Sequence, residues 1–129
     1  MHACVHDNPQ NSHIWIFWNQ HVIVELVSAS EKMVWVKFIS GLHTFLASFI
    51  YGRCDPQIRR ELWGDMESFN PRSFPWFVGS DFNIIMAPKE NYGRVEFLCG
   101  ASVEFVRSMA QCGSSDMGYS CVSFTCCNN

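Results

Sequence analysis

The apolar positions arrive in short blocks. Ile14–Trp18 (IWIFW) is a continuous apolar run, and its length and aromatic content predict a strand buried on both faces. His21–Val27 (HVIVELV), Met33–Ile39 (MVWVKFI) and His43–Tyr51 (HTFLASFIY) follow, each rich in β-branched or aromatic residues. Polar breaks at Asn19–Gln20, Ser28–Lys32 and Ser40–Gly41 separate them. Four strands in close succession with short turns predict an antiparallel meander within one sheet.

After Tyr51 the period changes. Asp55–Pro56 is a helix-start signal, because Asp can cap free amides and Pro suits the first turn. Ile58, Leu62, Met66 and Phe69 recur at helical spacing beside Trp63, which predicts an amphipathic helix over Pro56–Ser68 packed on the sheet. Gly64 weakens it by about 1 kcal/mol relative to Ala. Pro75–Gly79 is a short buried strand, with Asp81–Asn83 at its end. Met86–Gly100 is irregular. Ser102–Cys112 predicts a second helix with Phe105, Met109 and Cys112 on one face and Gly113 as its stop. Val122–Cys126 is a candidate final strand. The order meander, helix, strand, helix, strand predicts an α/β fold with a mixed, largely antiparallel sheet.

Composition narrows the class. In 129 residues, 48% are hydrophobic and 16% charged, enough apolar material for one domain's core and too little charge for a disordered chain. The net charge of −3 and the scattered Lys and Arg residues give no basic face of the kind that grips DNA autonomously. No apolar run approaches the length that spans a bilayer, and residues 1–13 are polar, without the pattern of a secretory signal. They are expected to be a disordered lead-in, and the 7 cysteines to be reduced thiols of an intracellular protein.

The candidate chemistry sits at the end of the fifth apolar block. Asp81 and Asn83 are two apart, so in extended chain a carboxylate and a carboxamide would face one spot. Such a pair suits phosphoryl chemistry: Asp orients or deprotonates a water, and Asn donates to a phosphate oxygen as charge develops. Gly79–Ser80 just before would let the backbone turn close to a ligand. On spacing alone, ordinary turn building is the better account of the pair. Other features read as structural. His2, Cys4 and His6 alternate as a soft-metal clasp would, but on a polar terminus this is read as coincidence. Arg59–Arg60 reads as a solvated helix face, Cys126–Cys127 as small buried groups, and Trp15, Trp18, Trp35, Trp63 and Trp76 as core.

A resemblance changes the weight given to Asp81. PWFVGSDFNIIM resembles the GDFN motif of the endonuclease/exonuclease/phosphatase superfamily, which includes the DNase I-like and abasic-site endonucleases. SFIYGRCDPQIRRELWGDM resembles the strand-then-helix segment upstream of that motif in plant LINE-type (non-LTR) retrotransposon reading frames. FVRSMAQCGSSDMGYSCVSFTCCNN resembles the segment downstream, and IWIFWN an early strand. The resemblance implies a DNase I-like four-layer α/β sandwich and Mg²⁺-dependent hydrolysis of DNA phosphodiesters. It implies that Asp81 activates the attacking water, that Asn83 binds phosphate and that Tyr51, matching the family's active-site tyrosine, stabilises charge near the scissile phosphate.

Departures from the family pattern shape the expectation. The family carries an early Asn and a metal-binding Glu, yet residues 1–13 hold no Glu. It ends in an Asp-His pair, yet all 5 His lie at position 43 or earlier. Ser80 stands for the second Gly of the motif, Cys126 where Trp is typical, and Cys54 near where many relatives have Asn. No metal ligand is assigned. Residues 14–129 are expected to form an incomplete domain, truncated at both ends, with little or no turnover. The alternatives are a non-catalytic retroelement relic or interaction fragment, and a divergent phosphatase. DNA is the partner in the intact family, which implies a nuclear location. Unpaired sheet edges are expected to favour self-association.

Overall fold

A computed structural model describes residues 4–8, 11–69, 71–85, 88–90 and 99–118 of the chain. The described fold is mixed α/β, built on a four-stranded sheet and two helices. The main sheet has the order β3 (Ile23–Ala29), β4 (Met33–Ser40), β5 (His43–Tyr51) and β6 (Trp76–Asp81). The first three form the predicted antiparallel meander. Gly41 closes the β4–β5 hairpin with φ +58°, a left-handed conformation that favours glycine. β6 then lies parallel to β5, which requires the intervening crossover.

That crossover is α1 (Pro56–Phe69). Asp55 caps it as its sequence predicts, with Oδ1 accepting from the amides of Gln57 (2.8 Å) and Ile58 (3.1 Å). Leu62, Trp63 and Met66 bury against Met33, Trp35 and Ile50 of the sheet, joined by Phe105 and Cys112 of the second helical segment. Trp35 is the centre of this layer. Its ring lies 3.9 Å from that of Phe69 and stacks on Trp76 at 5.2 Å.

The second helix, α2 (Cys99–Gln111), begins three residues before the predicted start. It ends in a Schellman closure. Gly113 has φ +68°, its amide bonds to the Ala110 carbonyl at 3.0 Å, and the Ser114 amide to that of Met109 at 2.9 Å.

The opposite face of the main sheet is covered by a two-stranded antiparallel ribbon, β1 (Cys4–Asn8) and β2 (Asn11–Trp18). Ile16 packs there on Val34, Val36 and Ala47. Three layers result: helices, sheet, ribbon.

Several expectations are corrected by this arrangement. The run Ile14–Trp18 leaves the meander and pairs with β1 instead. It is also buried on one face only: Ile16 is 5% exposed, whereas Trp15 and Phe17 are 58% and 61% exposed. The alternation of a strand sends i and i+2 to opposite faces from i+1, and only the Ile16 face meets the sheet. Trp15 is therefore not core, although Trp35 and Trp63 are buried. Residues 4–8, expected within a disordered lead-in, form β1, which pairs antiparallel with β2. β6 runs two residues beyond Gly79, to Asp81.

Within Met86–Gly100, Pro88–Glu90 forms a single 3₁₀ turn. Val122–Cys126 and the Cys126–Cys127 pair lie outside the described residues, as does His2. Among the described residues no helix is long and apolar enough to cross a membrane.

Candidate functional site

The parallel pairing of β5 and β6 runs in one register from Leu46↔Trp76 to Tyr51↔Asp81. Ala47, Phe49 and Tyr51 therefore share a face with Phe77, Gly79 and Asp81, the face that carries the ribbon. Tyr51 and Asp81 stand opposite each other on the last rung, at the carboxyl ends of both strands, and both are exposed. Ligands collect at this end of parallel strands in open α/β sheets.

Asn83 joins them by a different route from the expected one. The strand stops at Asp81, so Asn83 does not simply follow two residues on in extended chain. It adopts φ +49°, a left-handed conformation that Asn tolerates better than most residues. Asp81 Oδ1 accepts from the Asn83 amide at 2.9 Å, and this side-chain turn starts the reversal. The Asn83 carboxamide then donates to the Gly52 carbonyl, tying the end of β6 to the residue that follows β5. The Gly52 amide in turn donates to the Asp81 carbonyl at 2.7 Å. Tyr51 donates its own amide to Lys32 at 3.0 Å, and the Lys32 ammonium pairs with Glu61.

Between the two polar residues, Phe82 points the other way. Its ring packs on Phe105 at 4.8 Å and Trp63 at 5.9 Å, anchoring the polar corner to both helices. The alternation polar–aromatic–polar in Asp81–Phe82–Asn83 thus splits into two exposed groups and one anchor.

Gly52 and Arg59 are also part of this corner; sequence reasoning did not single out Gly52 and read Arg59 only as solvated surface. A Cβ on Gly52 would lie 2.4 Å from the Phe82 carbonyl oxygen and 2.8 Å from its Cα, so only glycine lets β5 pass beneath the turn. Arg59 is 7% exposed and donates through Nη1 to the Asn83 carbonyl at 3.3 Å. The expected solvated Arg59–Arg60 face therefore holds for Arg60 alone, which bonds Glu104 on α2. Its neighbour occupies the buried stripe, three residues before Leu62 and seven before Met66. That spacing was the available signal. Gly79 has a different role from the one its sequence suggested: the Phe77 ring occupies the space beside it, with Cε1 2.8 Å from where a Cβ would stand.

The corner offers a carboxylate, a carboxamide and a phenol. The carboxamide nitrogen carries two N–H donors and the Gly52 bond uses one. Among the described residues no Lys or Arg forms an ion pair with Asp81, and no group of three His, Cys, Asp or Glu gathers as a metal cage. One carboxylate suits only a Mg²⁺ ion that keeps several waters and shares substrate phosphate oxygens. Compared with protein-family models, curated protein sequences and solved structures, the chain finds no match.

Proposed function

We propose that the Tyr51–Asp81–Asn83 corner is the phosphate-handling part of a DNase I-like phosphodiesterase domain of retrotransposon origin. The observation that carries this reading is the register of Tyr51 with Asp81 at the carboxyl ends of a parallel pair, with Asn83 folded back beside them. The sequence resemblance names the same three residues. In this reading Asp81 orients and deprotonates the attacking water, Asn83 donates to a phosphate oxygen, and Tyr51 stabilises charge beside the scissile bond. Asp81 is the carboxylate that would face Mg²⁺, whose contribution is to offset charge on the phosphoryl oxygens. The chain as it stands holds no His after Asp81 to act as general acid, so we expect phosphate binding with little or no turnover.

Two measurements test this. Amide spectra recorded while MgCl₂ and a short DNA duplex are added should move at residues 51–52 and 81–83, and Asp81→Asn should abolish the movement. Shifts scattered over the chain, or none, would overturn the site. Supercoiled plasmid incubated with Mg²⁺ should stay intact; nicking that Asp81→Ala removes would overturn the expected lack of turnover.

A second reading, a non-catalytic interaction fragment, is favoured by the exposed Trp15 and Phe17 on the ribbon. It predicts no Asp81-dependent response to either ligand.

A further inference from the structure

We infer that Arg59 is the positioning residue of this corner: it holds the Asn83 turn from the helix side and acts on the site through Asn83, without touching substrate. Its purpose rests on the phosphodiester reading above; the clamp itself does not.

The placement of Arg59 is unfavourable for stability alone. Arg59 is 7% exposed as a whole residue and makes no ion pair with another described residue, so its charge sits on a largely buried side chain. Burying a charged side chain is unfavourable, and an apolar residue of similar volume in its place is often neutral or stabilising. The positions that follow it on the same stripe, Leu62, Trp63 and Met66, are apolar and buried. Arg at position 59 therefore does something that Leu or Met could not.

Its described partner shows what that is. The Asn83 carbonyl lies past the end of β6, beyond the reach of the strand ladder, and Arg59 Nη1 satisfies it from α1 across 24 residues of sequence. The donor is planar and forked, so it fixes direction as well as distance. Asn83 is held at three points: its amide by Asp81 Oδ1, its carboxamide by the Gly52 carbonyl, its carbonyl by Arg59. The first two lie within the corner itself. Of the three, Arg59 is the one that ties Asn83 itself to α1, which Asp55 caps four residues earlier, alongside the Phe82 ring packed on both helices. Arg60, one residue on, has none of this, being exposed and paired with Glu104.

The test compares Arg59→Met and Arg59→Lys with the natural chain by amide and side-chain NH₂ spectra. Both keep Leu62, Trp63 and Met66, and Lys keeps the charge if Met proves too disruptive to fold. In either folded variant the Asn83 side-chain NH₂ pair and the Gly52 amide should leave their native positions. Their solvent exchange should rise about tenfold, the scale of one lost hydrogen bond. The Trp35 and Trp63 indole signals should stay in place. Where the natural chain responds to MgCl₂ and the DNA duplex, the midpoint of that response should also weaken about tenfold. Native Asn83 and Gly52 signals in the folded variants would overturn the clamp. An unchanged midpoint would overturn the positioning role. Failure of the natural chain to respond at all would overturn the phosphodiester reading and leave the clamp standing on the Asn83 and Gly52 signals.

Discussion

The Asn83 carboxamide donates to the Gly52 carbonyl, so the residue just past β6 grips the residue just past β5. The neighbouring residue leaves no space at Gly52, whose missing Cβ would meet the Phe82 backbone. Backbone atoms cannot swing aside as a flexible side chain can. Gly52→Ala should therefore destabilise the chain by about 1–3 kcal/mol. Gly64→Ala is the control, since nothing lies within 4 Å of the added methyl there. It should stabilise by up to about 1 kcal/mol through helix propensity. Urea unfolding midpoints of the two variants should move in opposite directions.

Trp76 and Ser48 make the second pair to test. The indole Nε1–H donates to the Ser48 hydroxyl, which is fully buried. Trp76→Phe keeps an aromatic ring against Trp35 but removes the donor. The loss should be about 1–3 kcal/mol, the desolvation penalty of an unpaired buried group, plus some packing. Adding Ser48→Ala should recover part of that loss, because the hydroxyl left without its donor is then gone. A double-mutant cycle in denaturant checks the sign of the coupling.

The thiol of Cys112 is predicted to be protected and pH-sensitive. Burial pushes its pKa up, and the Glu67 carboxylate pushes in the same direction. The folded state then holds the proton more tightly than the unfolded chain. The associated stability is present below the ordinary thiol range and is lost as pH rises through the raised pKa. Cys54, by contrast, is exposed. Alkylation at neutral pH, read by peptide mass, should label Cys54 promptly and Cys112 only as the chain opens. Prompt labelling of Cys112 in the folded protein would contradict its burial.

The outer face of the ribbon carries Trp15 and Phe17, both more than half exposed. Paired aromatic groups in water promote association. We expect the chain to self-associate with rising concentration, and Trp15→Lys with Phe17→Lys to reduce that association while the chain stays folded. Sedimentation at several concentrations measures the first effect and urea unfolding the second. Unchanged association in the double variant would move the contact to the edges of the main sheet.

Much of the framework was legible before folding. The meander β3–β5, the Asp55 cap, the buried stripe of α1 and the Gly113 stop all follow from local chemistry, because each depends on residues within a few positions of one another. The destination of Ile14–Trp18 did not. An apolar run states that something must be buried, and only the partner surface of Val34, Val36 and Ala47 decided that it would be the Ile16 face. Arg59 and Arg60 look alike as neighbours. Their roles separate because a helix turns about 100° per residue, which put one against the Asn83 turn and the other toward Glu104.

The sequence by itself, through the family it resembles, nominated three residues as candidates for chemistry. Asp81, Asn83 and Tyr51 end apolar blocks, and their types suit phosphate. The tertiary structure decided how they meet. The parallel register sets Tyr51 opposite Asp81, and the bond of the Asn83 carboxamide to Gly52 holds the turn that Asp81 starts back against the end of β5. The reason is physical. Register and close approach are long-range properties, set when β6 docks on β5 and α1 crosses behind them, and no window of neighbouring residues contains that information.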